Sequence, residues 1–192
     1  MTAVKVVLTY EDYVLLPDDG RRYEIHDGEL SVTPAPGRRH QWVVVALTVA
    51  LHQHVTAHDL GEVYVAPFDI ILANTTIVQP DVTFVSKDRL GVLAERGVEG
   101  SPTLAVEVIS PYTGRIDRST KLNLYARFGV PYYWIVDPET RTIDVYRLMR
   151  GDSARTAAAY ADPQRFSDAL ADLPPFPGLT LDIARLWGPP AS

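Results

Sequence analysis

Residues 104–110 read LAVEVIS, apolar on both faces of an extended chain except at Glu107. A strand with one wet face alternates apolar and polar residues, so a run apolar on both faces reads as a central strand covered on two sides. Glu107 is then buried. It needs a compensating partner, because an unpaired buried charge costs several kcal/mol. The competing reading is an edge strand that leaves Glu107 in water.

Working outward toward the C-terminus, residues 116–128 read as a helix ended by Gly129 and Pro131, and YYWIVD (132–137) and RTIDVYRL (141–148) as a hairpin across Pro138-Glu139-Thr140. The pattern weakens in GDSARTAAAYADPQ (151–164), and LPPFPGLTLDIARLW (173–187) is expected to pack back as a short strand and helix. Toward the N-terminus, DVTFVS (81–86) and VYVAPFDIIL (63–72) are β-branched runs around the turn-like residues 73–76, and residues 87–96 suggest a short exposed helix. Residues 40–58 read as a helix whose inward face is expected to carry Trp42, Val45, Ala46, Val49 and Ala50. RYEIHDGELSV (22–32) is a hairpin turning at Asp27-Gly28, and residues 11–16 form a short helix capped by Thr9. Strands interrupted by helices, with one fully apolar strand, fit an α/β fold with a mixed central sheet flanked by helices. The expected organisation is one domain over 1–192, with a core at about 9–148 and a C-terminal extension, 151–192, packed on it.

The chain has 192 residues, 18 Lys+Arg against 24 Asp+Glu for a net charge of −6, 46% hydrophobic residues and no cysteine. Absent cysteine excludes disulfides, thiolate nucleophiles and sulfur-ligated metals, so any metal is held by oxygen or histidine. No apolar run approaches the roughly 20 residues that span a bilayer, and the start lacks a signal-peptide pattern, which gives a cytoplasmic expectation with no membrane partner. The acidic balance argues against a general basic coat for nucleic acid.

Asp81 follows Pro80 where a strand leaves a loop, so its carboxylate can reach a site at the sheet margin beside Glu107. Two carboxylates from neighbouring strands are the usual minimum for Mg²⁺, although Pro-Asp is more often a plain turn signal. Lys121, Leu124, Tyr125 and Phe128 share one helical face, which turns the lysine toward the sheet; the alternative is an i, i+4 surface pair with Asp117. Glu24 is either a solvated hairpin residue or an acid linked to the site. His54 and His58 read as surface-helix residues, whereas His40 follows Arg38-Arg39 at a helix start that suits a phosphate, or serves as a local cap. Arg115, Arg118, Lys121 and Arg127 set four cations against one acid, Asp117, a patch able to hold a polyanion backbone. Phosphate-loop, dinucleotide and nucleophile-elbow motifs are absent.

Taken in order, RYEIHDGEL (22–30), Arg39-His40, QPDV (79–82), VEVISP (106–111) and DRSTKLNLYARFGVPYYWIVDP (117–138) resemble the bacterial "putative restriction endonuclease" family, formerly a domain of unknown function. The likeness runs over about 9–148, with a weaker echo at PGLTLDI (177–183). It implies the restriction-endonuclease-like fold of PD-(D/E)xK nucleases and a Mg²⁺- or Mn²⁺-dependent endonuclease acting on DNA. It assigns Asp81 and Glu107 as metal ligands and catalytic acids, with Lys121 and Glu24 as further catalytic residues. The third motif position departs, since Ile109 stands where a lysine belongs, and the family resemblance moves that lysine to the following helix, at Lys121. Arg39, His40, Arg115 and Arg118 are the expected nucleic-acid contacts, and a homodimer is expected by analogy. Competing functions are a catalytically weak or inactive nucleic-acid-binding or regulatory protein on the same fold, and a hydrolase of small phosphodiesters.

Overall fold

The computed structural model describes residues 6–149, 158–167 and 170–188, so much of the weakly patterned stretch after Arg150 lies outside the described residues. In chain order the elements are α1 (Tyr10–Tyr13), β1 (Arg22–His26), β2 (Glu29–Thr33), α2 (Arg38–Ala57), β3 (Gly61–Val65), β4 (Ile70–Ala73), β5 (Thr76–Val78), β6 (Val82–Ser86), β7 (Leu93–Ala94), β8 (Gly97–Glu99) and β9 (Leu104–Val108). There follow α3 (Gly114–Ile116), α4 (Leu122–Arg127), β10 (Tyr132–Asp137), β11 (Thr142–Met149), β12 (Ala159–Tyr160), β13 (Gln164–Phe166), β14 (Leu170–Asp172), β15 (Thr180–Asp182) and α5 (Ile183–Leu186).

Among the described residues the larger sheet runs β12-β11-β10-β9-β6-β3, with β13 also on β11. Strand β9 lies in its middle, parallel to β10 and antiparallel to β6. All five of its residues are buried, which removes the edge-strand reading of Glu107. Val106 and Val108 face a core shared with α2, with Leu173, Phe176 and Trp187 of the C-terminal segment and with α5. Ala105, Tyr133 and Ile135 face the opposite way, against Leu124 and Tyr125 of α4 and against Ile70, Val78 and Val98 of the second sheet. That sheet runs β2-β1-β5-β4-β8-β7, and its far face packs Ile25, Ile71 and Ile77 against Leu8, Tyr10 and Tyr13.

The β1–β2 hairpin turns at Asp27 (φ 52°) and Gly28 (φ 82°), the double positive-φ pattern of a two-residue turn matched to strand twist. The run 63–72 divides at Pro67, whose missing N–H cannot continue a ladder; β3 joins the larger sheet and β4 the smaller. Residues 87–96 are not one helix. They form a 3₁₀ turn (Lys87–Val92) followed by β7, which pairs with β8.

Helix α2 is rotated from the expected face. Val43, Leu47, Leu51 and Val55 are buried, Ala46 and Ala50 are half-buried, and Trp42, Val45 and Val49 are exposed. The segment is apolar nearly all round from 42 to 51, so periodicity admits two stripes, and the sheet takes the one with the leucines.

Candidate active site

The register of β6 on β9 begins at Val82 with Val106, and Asp81, just before β6, reaches the Glu107–Val108 end of β9. Pro80 brings no N–H to extend the ladder, and Asp81 takes over: its Oδ2 accepts the backbone N–H of Val108 at 2.8 Å. Asp81 Oδ2 also meets His40 Nε2 at 3.0 Å, and Arg22 donates to Oδ1 at 2.9 Å. Arg22 comes from β1 and His40 from the first turn of α2, so three separated segments converge on one carboxylate.

Lys121 arrives from the other side. The chain from α3 to α4 passes through a π-helical turn (Asp117–Lys121), a local widening that re-aims side chains and recurs at functional sites. Lys121 Nζ donates to Glu107 Oε1 and to Glu24 Oε1, both at 2.9 Å, and stands 3.9 Å from Asp117 Oδ1. One helical turn later Tyr125 Oη donates to the same Glu107 oxygen at 2.9 Å. Glu24 is completed by the Gln79 backbone N–H at 2.6 Å and by His26 Nε2 at 3.2 Å. The Asp117–Lys121 pair therefore exists but is buried, not a surface bridge. Glu24 is buried too, because β1 is covered on both faces: Ile25 toward α1, Glu24 toward the larger sheet.

Four carboxylates, Glu24, Asp81, Glu107 and Asp117, are thus buried around Lys121 and the half-buried Arg22. Burial opposes charge on Glu24, but Lys121 and His26 outweigh it and hold its carboxyl down to about 2. Asp81 is also lowered, burial being overcome by His40, Arg22 and the Val108 N–H. Glu107 goes the other way: burial, with Asp117, Asp81 and Glu24 around it, raises its carboxyl well above the usual range in spite of Lys121. Asp117 is raised by burial, and neither of its oxygens has a hydrogen-bond partner among the described residues. Lys121 is held protonated by Glu107, Glu24 and Asp117 against the cost of its burial.

A cavity of about 240 Å³ opens onto this cluster, lined by Arg22, His40, Asp81, Glu107, Lys121 and the exposed Tyr112, among others. Among the described residues no group of three or more His, Asp or Glu side chains is arranged as a metal cage. The donor set is instead two carboxylates lining one cavity: Asp81, held by Arg22, His40 and the Val108 N–H, and Glu107, whose hydrogen bonds from Lys121 and Tyr125 both fall on Oε1. Paired oxygen donors opening on a cavity, beside an excess of buried negative charge, fit a hard divalent cation that keeps most of its waters. Such an ion would offset the repulsion that raises Glu107.

The remaining expected contacts are spread out. Arg39 is exposed at a neighbouring cavity of about 270 Å³ that also involves His40, Ser110 and Glu139. Arg118 is drawn away to Asp137 and Asp144 at 2.9 and 3.3 Å, and Arg127 pairs with Asp27, so the helix is not an open cationic surface; Arg115 is exposed. His40 holds Asp81 rather than standing free for a phosphate. Sequence reasoning missed Arg22 and Tyr125. Both had a signal: Arg22 lies two residues before Glu24 on the same strand face, and Tyr125 follows Lys121 by four on one helix face.

The Uma2 family model, described as "Putative restriction endonuclease", matches residues 10–184. A crystal structure of "a putative nuclease belonging to DUF820 from Anabaena variabilis" superimposes with a TM-score of 0.73 at 17% identity, covering 94% of this chain and 97% of that one. No curated protein matches.

Proposed function

Since the chain belongs to the Uma2 family, a restriction-endonuclease-like group, we propose that it is a metal-dependent endonuclease hydrolysing the phosphodiester bonds of DNA. The observation that carries this reading is that Asp81 and Glu107 line one cavity, with Lys121 delivered onto Glu107 from the helix. Asp81 and Glu107 would hold a divalent ion, Mg²⁺ or Mn²⁺, which when bound polarises the phosphate and lowers the pKa of a water. Asp81 is kept ionised by Arg22, His40 and the Val108 N–H, and so is a ready anionic ligand. Glu107 would serve as the second ligand, its Oε1 anchored by Lys121 and Tyr125 where the residue lines the cavity. Lys121, held by Glu24 and Glu107, places a fixed positive charge where charge grows on the phosphate oxygens. Arg22 is the second cation at the cavity wall and offsets the phosphate.

The test is cleavage of plasmid, linear duplex and single-stranded DNA with Mg²⁺ and with Mn²⁺, run beside Glu107→Ala. Metal-dependent cutting that the variant loses supports the assignment. Cutting that survives in the variant refutes it, and metal-independent binding without cutting assigns the chain to a non-catalytic role on the same fold.

A further inference from the structure

A third cavity, of about 500 Å³, adjoins the acid cluster and shares Arg22 and residues 34–36 with its wall. Its volume is ample for a nucleoside, whereas a phosphate alone needs far less. Its lining is unlike that of the acid site. Its lining residues include the aromatic Tyr13 and Tyr23, Gln41, Asp18 and the exposed Arg21, which pairs with Asp19 at 3.4 Å. Both rings are pinned by their hydroxyls. Tyr13 Oη donates to Asp69 Oδ1 at 2.7 Å and accepts from Gln79 Nε2 at 3.0 Å, and Tyr23 Oη donates to Asp19 Oδ2 at 2.9 Å. Gln79 in turn delivers its backbone N–H to Glu24, so the cavity wall and the acid cluster are one connected structure.

Aromatic rings, an amide and a guanidinium around a nucleoside-sized space are the elements that take an unstacked base and its phosphate. Bases paired within a duplex are not available to such a space; a base in a single strand, or one turned out of the stack, is. We infer that this cavity is a nucleoside subsite which receives an unpaired base next to the phosphate held at Arg22, making single-stranded or locally opened DNA the preferred substrate. The inference rests on the phosphodiesterase reading for the position of that phosphate, but not on catalysis itself.

The test is fluorescence anisotropy of the full-length protein with a short labelled single strand and with the blunt duplex of the same sequence, followed by cleavage of both with Mg²⁺. The single strand is expected to bind about ten-fold more tightly than the duplex, the scale of one base stacked on an aromatic ring. Tyr23→Ala brings that ratio close to one, and Tyr23→Phe, which keeps the ring, retains it. An abasic residue walked along the single strand weakens binding at one position only. Equal binding of strand and duplex by the wild type overturns the subsite, as does a Tyr23→Phe loss equal to that of Tyr23→Ala. Strand-selective binding without cleavage upholds the subsite while refuting the nuclease reading; cleavage of both substrates at one rate does the reverse.

Discussion

Ile135 on β10 pairs with Glu107 on one side and Asp144 on the other, so two acids stand on one rung and one face of the larger sheet. They are equally buried, at 2% and 1% exposure. Their electrostatics are opposite. Asp144 is ringed by guanidinium groups: Arg165 meets both of its oxygens at 2.6 and 2.8 Å, and Arg118 donates to it at 3.3 Å. Burial raises its carboxyl but the two arginines prevail, and it is lowered. Glu107 shares its one ammonium with Glu24 and Asp117, and it is raised. Burial alone therefore does not mark a functional acid. In the proposed reading, what singles out Glu107 is burial with too little positive charge, a deficit that a bound cation would fill.

The largest effect expected is on cleavage. Glu107→Ala should reduce it by at least about a thousand-fold, as loss of a principal electrostatic element does, with chemical denaturation showing stability held or increased. A variant that cuts normally breaks the contrast between the two acids.

Next comes Lys121→Met. It leaves Glu24 and Asp117 buried without their cation, and should lower unfolding free energy by about 3 kcal/mol as well as abolishing cleavage; an unchanged denaturation midpoint would show that the cluster is not held by the lysine. Asp144→Asn should cost about 1 kcal/mol, the smaller value because Arg165 and Arg118 reach water and can rehydrate, and cleavage should stay within a few-fold of wild type.

The smallest effect is in pH, measured with chelator present. Asp144 is lowered, so its contribution is complete above the unfolded carboxyl value, about 3.9, and disappears as pH falls through the folded value; the deficit of Asp144→Asn should close in acid. Glu107 is raised, so its contribution is complete below the unfolded value, about 4.3, and disappears as pH climbs through the folded one. Glu107→Gln should therefore gain on wild type as pH rises. Parallel slopes for the two variants would show that the acids share one environment.

Glu107 and its lysine could be read from one strand and one helix, whereas Asp144 could not. LAVEVIS favoured a covered strand with a buried acid, and the spacing of Lys121, Leu124 and Tyr125 allowed the lysine to face the sheet; the fold bore out both. Arg22 and Glu24 were harder, because their roles depend on distant parts of the chain: Arg22 meets Asp81 across 59 positions, and Lys121 reaches Glu24 across 97. The helix over residues 40–58 shows the same limit in packing: its period was legible, but an almost uniformly apolar stretch does not say which stripe the sheet will take. Arg118 was legible as a cation and not as a partner, since Asp137 and Asp144 reach it only once β10 and β11 have folded.

By itself, then, the amino-acid sequence determined most of the longer strands and the turn at Asp27-Gly28, and pointed to a covered β9 whose acid would need compensation, because period, turn chemistry and desolvation act locally. Only the tertiary structure decided which groups compensate each acid. Coulomb interactions and hydrogen bonds act through space, and the counting of charges around Glu107 and around Asp144 is settled by what the folded sheets and helices bring within about 3 Å.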